Sequence, residues 1–391
     1  MIAALLLIAA DLPSQAAIDR VTADLAAITG FRLKRRVRVS KLTREDLERD
    51  LNTRVMKKID PKEIRADELT LQWLGFVAPG FDLKKTSVDL IAEQAAAYYD
   101  YKRKKLVLLE NPLDEFDESL LAHELAHALA DQTFRLGRYM DRGEGDDAEL
   151  ARQAVVEGQA TWLMTEFGLR REGRSLKDSP SALPSGSSTD AQVAARFPVL
   201  EKSPLFLRVN LLFPYWEGAR FQHAVFERLG AAGFNTVFKT PPVSSRQILH
   251  PETYFAREAP EKAGLPLAQT KGWKILNTGS LGEIDHLIVF KQNAEAGAEG
   301  LAAAWRGGTY EVRERGTVCC LVRYASIWKD AASAASAQAA WERHLQAKPV
   351  RGKSSVSREG RTVHSVELPA GEARRATMQQ SSSAVLPEPR R

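Results

Sequence analysis

Within Glu118–Phe134 (ESLLAHELAHALADQTF) the apolar residues Leu121, Leu125 and Ala128/Leu129 recur every three to four positions, with no glycine or proline between them. That spacing predicts one uninterrupted helix. A second helix is predicted to open at the acidic cluster Asp146-Asp147-Ala148-Glu149 and to run to about Phe167. Upstream, residues 17–30 read as helix, 33–40 as strand, 43–55 as helix, and an alanine-rich helix is centred near Ala92. The apolar run Lys105–Leu109 is a short strand, either at a sheet edge or in its core. Residues 170–198 carry little apolar content (SPSALPSGSSTD) and read as a flexible surface insertion.

Residues 200–240 return to helical spacing, with Phe213-Pro214-Tyr215 and 217–229 packed behind the predicted helix pair. From about 266 the pattern changes to strands at 273–276, 285–290, 310–313 and 318–324, alternating with helices at 295–305 and 330–346. Gly307-Gly308 reads as a turn, and 369–391 as a disordered tail. The fold class is therefore α+β: a mainly helical domain with a small sheet over 17–265, then a smaller α+β domain over 266–368.

His123-Glu124-Leu125-Ala126-His127 lies on the first predicted helix. Residues four apart share a helix face, so both imidazoles can reach one metal ion. With seven histidines in 391 residues, chance supplies such a pattern on the order of once per hundred similar chains. Zinc accepts nitrogen ligands in a tetrahedral shell, and a catalytic site uses three protein donors and leaves the fourth position to water. Glu124 is the candidate base for that water.

The third donor is sought on the next helix, where Glu157 has only uncharged neighbours on its own face (Leu150, Gln153, Ala154, Ala160, Thr161, Met164). A carboxylate so placed is costly to bury unless it meets a cation. It is either the third metal ligand or half of a buried salt bridge. Glu149 is explained by capping and Glu166 points the other way. Asp131 and Thr161 each fall one turn beyond a ligand, as hydrogen-bond supports or as solvated surface positions. Gly158 and Ala160 are expected to let this helix approach the first closely.

With these residues the chain resembles the gluzincin metallopeptidases, the His-Glu-x-x-His plus distant Glu group, and more narrowly a poorly characterised extracytoplasmic bacterial and archaeal family. The matching segments are AAAYYDYKRKKLVLLE (95–110), LLAHELAHALADQTF (120–134), AVVEGQATWLM (154–164), PPVSSRQILHPETY (241–254) and LAAAWRGGTYEV (301–312). The chain departs from the family pattern at Ala97-Tyr98-Tyr99-Asp100 and at Gln159, neither a metal ligand. The resemblance implies a zincin-like first domain, one Zn2+ held by His123, His127 and Glu157, and a peptide or protein substrate. It also tilts Lys105–Leu109 towards an edge strand that adds the substrate backbone to the sheet. In the implied reaction Glu124 deprotonates a zinc-bound water that attacks the peptide carbonyl. The developing oxyanion needs a further donor. His250 and Tyr254, in a polar stretch between prolines, are the candidates; the alternative is a loop whose side chains close its own turns.

Charge adds little: net +5 and pI near 9.1 are mild for this length. The run Lys34-Arg35-Arg36-Val37-Arg38 alternates with apolar residues and lacks interleaved aromatics, so it reads as the solvated face of a strand rather than a nucleic-acid patch. Residues 1–16 resemble a secretory signal without its usual positive start, which implies an extracytoplasmic protein; a misplaced start or a buried helix are the alternatives. No stretch is long enough to span a bilayer. Cys319 and Cys320 are adjacent in a strand and should face opposite sides, as small residues rather than a disulfide. Against the peptidase reading stand a catalytically silent fold that binds envelope proteins, and a hydrolase of non-peptide amides or esters.

Overall fold

The computed structural model describes residues 13–55, 60–109, 118–141, 145–184, 197–350, 352–369 and 371. In chain order its main elements are α1 (Gln15–Thr29), β1 (Arg38–Leu42), α2 (Arg44–Asp50), α3 (Pro61–Trp73), α4 (Leu83–Gln94), β2 (Ala97–Asp100), β3 (Lys105–Leu109), α5 (Glu118–Phe134), α6 (Leu136–Met140) and α7 (Asp146–Arg171). There follow α8 (Pro198–Lys202), α9 (Leu205–Leu229), α10 (Ala232–Lys239), α11 (Ser245–Leu249), α12 (Pro251–Phe255), β4 (Lys274–Gly279), α13 (Glu283–Gln292), α14 (Ala298–Ala302), β5 (Trp305–Arg315), β6 (Val318–Trp328), α15 (Ala331–Ala347), β7 (Gly352–Glu359) and β8 (Thr362–Pro369). The class is α+β, as expected. The chain divides into two compact units, Met1–Ile59 with Leu83–Ala259, and Asp60–Asp82 with Pro260–Arg391. Helix α3, read as part of the first domain, thus belongs to the second unit.

In the first unit α1, α5, α7 and β3 share one core, in which Ile18, Leu25, Leu106, Leu121, Leu125, Ala160, Trp162 and Phe167 are buried. Ser14 caps α1, its Oγ accepting from the Ala17 amide. The small sheet has the order β1-β3-β2, with β1 parallel and β2 antiparallel to β3. Lys105–Leu109 is therefore the central strand and not the edge. Its unbroken run of buried residues is the signature of a strand covered on both faces. The edge next to it is β2, folded back through a turn in which Asp100 Oδ1 accepts from the Lys102 and Arg103 amides. Helix α9 starts earlier than the sequence suggested and runs through Pro214 without ending there.

The second unit carries an antiparallel sheet of order β4-β5-β6-β8-β7. Helix α15 packs on β6, β7 and β8, and α13 and α14 pack against α15. The expected strand at 285–290 is helix α13: its apolar run is buried on all sides, and Asp285 Oδ2 accepts from the Gly282 amide to fix its start. Gly307 and Gly308 lie inside β5 rather than in a turn. A Cβ at Gly307 would stand 2.0 Å from the Glu261 carbonyl oxygen, so the glycine admits a neighbouring backbone. Cys319 and Cys320 fall in a strand, β6, as expected. No helix among the described residues is long and apolar enough to cross a membrane. Residues 1–12 of the leader segment, the centre of the 170–198 insertion and nearly all of 369–391 lie outside the described residues, while residues 14–16 open α1.

His286 is enclosed in this second unit, its ring nitrogens bonded to the Gly282 carbonyl and the Tyr324 hydroxyl. Burial pulls its pKa from 6.5 down to about 4. Between these values the unfolded chain binds the proton and the folded one does not. Stability is therefore intact above pH 6.5 and falls as pH drops towards 4, by about 3 kcal/mol from this group alone. His344, also lowered to about 4 chiefly by burial, acts in the same window and direction. Urea midpoints of the parent should fall across this range, and His286→Gln should flatten the slope; a parent slope unchanged by the substitution would refute it.

Candidate metal centre

Helix α5 delivers His123, Glu124 and His127, and α7 delivers Glu157. The two helices are packed against each other along the shared core. His123 and Glu124 are buried and Glu157 is half-buried. The Nε2 atoms of His123 and His127 stand 3.1 Å apart, and Glu157 Oε2 lies 3.3 Å from each. Ligands 2.0–2.1 Å from a tetrahedral centre stand about 3.3–3.4 Å from one another. The three atoms thus lie near one face of such a tetrahedron and could hold a metal ion. Both carboxylate oxygens are shut from solvent: Glu157 Oε2 has only the two imidazoles beside it, and Glu124 Oε2 has no hydrogen-bond partner. Buried carboxylate oxygens are costly in that state and suit a cation and its water.

The charges are strongly coupled. Burial by itself raises the carboxyl pKa of Glu157, but the His127 and His123 imidazoles outweigh it and hold the group well below the usual carboxylate range. His127 is the converse: burial lowers its pKa, and the Glu157 carboxylate reverses this and carries it up to about 9.

A cavity of about 280 Å³ opens over the triad, and Glu124, Tyr98, Tyr99, Leu136 and Tyr215 are among the residues that line it. No family model, curated protein or solved structure matches this chain.

Tyr215, on α9, was not among the sequence candidates. Its ring stacks on that of His123 at 6.0 Å between centroids. Glu157 first, then burial and Glu124, push its hydroxyl pKa well above 10, so the proton stays on the oxygen. The signal was there in retrospect: Gly158 follows Glu157 and Gly218 lies one turn after Tyr215. A Cβ on Gly158 would stand 2.1 Å from the Gly218 carbonyl carbon, so α7 and α9 cross backbone to backbone at these glycines. Gly158 thus serves contact with α9, while Ala160 faces the core shared with α5.

The other candidates lie elsewhere. The Tyr254 hydroxyl donates to the Thr240 carbonyl at 2.7 Å, and its ring packs on Phe221. His250 joins α11 to α12 with Nδ1 3.8 Å from Glu252. Neither lines the cavity. Their stretch closes its own turns, Ser244 capping α11, and the Ser245 amide donates to Asp147 at the start of α7. Asp131 supports no ligand. It is buried, accepts from the Tyr99 hydroxyl and the Leu136 amide, and pairs with Lys104 at 2.6 Å, fastening the β2–β3 hairpin to α5. Thr161 Oγ1 is buried without a partner. Gln159 faces Gln222 and the Phe234 carbonyl, away from the cavity.

Proposed function

We propose that this protein is a zinc-dependent peptidase of the gluzincin kind, with a zincin-like first unit and with His123, His127 and Glu157 as the ligands of one ion. The observation that carries this reading is the triangle of donor atoms with 3.1–3.3 Å edges beside a buried, unpartnered Glu124. When bound, zinc supplies a Lewis acid and lowers the pKa of a water towards neutrality. Glu124 accepts the proton of the attacking water and passes it to the leaving amine. Tyr215 takes the role sought for His250 and Tyr254: its retained proton is available to the oxyanion of the tetrahedral species. The substrate strand pairs with β2, the edge whose Ala97, Tyr98 and Tyr99 line the cavity.

A peptide-library digest with metal-loaded protein, repeated with a chelator, tests the proposal. Cleavage that the chelator removes and zinc restores is the expected result. Stoichiometric zinc without cleavage favours a binding protein, and turnover of small esters alone favours the non-peptide hydrolase. Within that assay Tyr215→Phe should lower kcat by on the order of a hundredfold with little change in KM.

A further inference from the structure

The basic run read as a solvated strand face is instead irregular backbone over residues 34–37, with β1 beginning only at Arg38. Gln132 of α5 clamps it: the Lys34 and Arg35 amides donate to Gln132 Oε1 at 2.7 and 2.8 Å, and Gln132 Nε2 donates to the Arg35 carbonyl at 3.0 Å. These three bonds tie the backbone of the segment to α5. Arg32, Lys34, Arg35 and Arg36 are all exposed and, among the described residues, none of them forms an ion pair.

These side chains line a groove of about 440 Å³ between the segment and α1, which shares no lining residue with the metal cavity. Ile18, Leu33, Val37 and Ala26 give it an apolar surface, and Asp19 is its one acidic residue. Thr22 also lines it, with a hydroxyl shut from solvent and lacking any hydrogen-bond partner.

We infer that this groove is a binding site for an acidic, extended peptide segment, its carboxylates meeting the four cations and its apolar side chains the floor. Charge complementarity requires an anionic occupant. The concave shape and the absence of any exposed large hydrophobic residue in the segment favour a peptide over a bilayer, which would need a protruding apolar anchor. No aromatic lines the groove, so bases have nothing to stack on. If the peptidase reading holds, the segment belongs to the protein substrate, held away from the point of cleavage; the binding itself does not depend on that reading.

The test uses the full-length, metal-free protein, so that failure of the metal assignment leaves it unaffected. Fluorescence anisotropy is measured with a labelled peptide alternating glutamate and leucine, and co-sedimentation with phosphatidylglycerol vesicles. The parent should bind the peptide, more weakly as salt is added. Arg32→Glu/Arg35→Glu/Arg36→Glu should weaken binding on the order of tenfold or more, and the milder triple Gln variant should fall between. Unchanged affinity in both variants, no binding by the parent, or binding to vesicles with none to the peptide would each overturn the proposal.

Discussion

Glu157→Ala is expected to weaken zinc binding by at least on the order of a hundredfold, since even the loss of an outer support costs ten- to a hundredfold. Glu157 Oε2 completes a face whose other corners are the two imidazoles, and no other acidic residue joins the His123, His127 and Glu157 cluster among the described residues. Without it two nitrogens remain, too few to hold zinc firmly. Glu124→Gln should do the reverse. It is not in the donor triangle, so zinc affinity should stay within a few-fold of the parent, while loss of the base removes on the order of 10²–10⁴ in turnover. Competition titration with a chromophoric chelator measures the first effect, and steady-state cleavage by loaded protein the second. A Glu157→Ala protein that competes as well as the parent would remove Glu157 from the site. Sustained cleavage by Glu124→Gln would remove the base.

Gly158→Ala should cost about 3 kcal/mol, at the upper end for overpacking. Its methyl group would meet the Gly218 backbone at 2.1–2.4 Å, and backbone cannot rotate aside as a side chain can. Helices α7 and α9 must separate, and with them Glu157 and Tyr215, so activity should fall together with stability. Gly168→Ala, on the same helix with open space around it, is the control. It should be neutral or stabilising by about 0.5–1 kcal/mol, as alanine is the better helix former. Thermal denaturation of both variants decides the matter: equal melting of Gly158→Ala and the parent would disprove the tight crossing.

That His123, His127 and Glu157 come together was legible because the pattern behind it is local. Four-residue spacing sets two histidines on one helix face, and a carboxylate amid uncharged neighbours declares a need for a cation. Helices α1, α5, α7 and α15 were legible for the same reason, since each carries its own apolar stripe. What depends on partners distant in sequence was not. Whether Lys105–Leu109 is edge or centre depends on where β1 and β2 pair, and the buried surroundings of 285–290 disguised a helix as a strand. Strands β7 and β8 went unseen because β7 is exposed at nearly every position and leaves little apolar alternation to read. Tyr215 was hidden because only the meeting of Gly158 with Gly218 brings α9 to Glu157.

The chain enters its second unit twice, first through α3 and again after Ala259. The early visit supplies backbone that the later one relies on: His344 bonds the Leu74 carbonyl at 2.8 Å, and the buried Lys348, paired with Glu367, also donates to the Trp73 carbonyl. Truncation near residue 265 would therefore strand α3 with its apolar face uncovered, and in the excised C-terminal piece the Lys348 ammonium and the His344 imidazole would each lose one backbone acceptor. Neither half is a self-sufficient product of a single cut, and dissection of this protein calls for grafting 60–82 onto the later sequence.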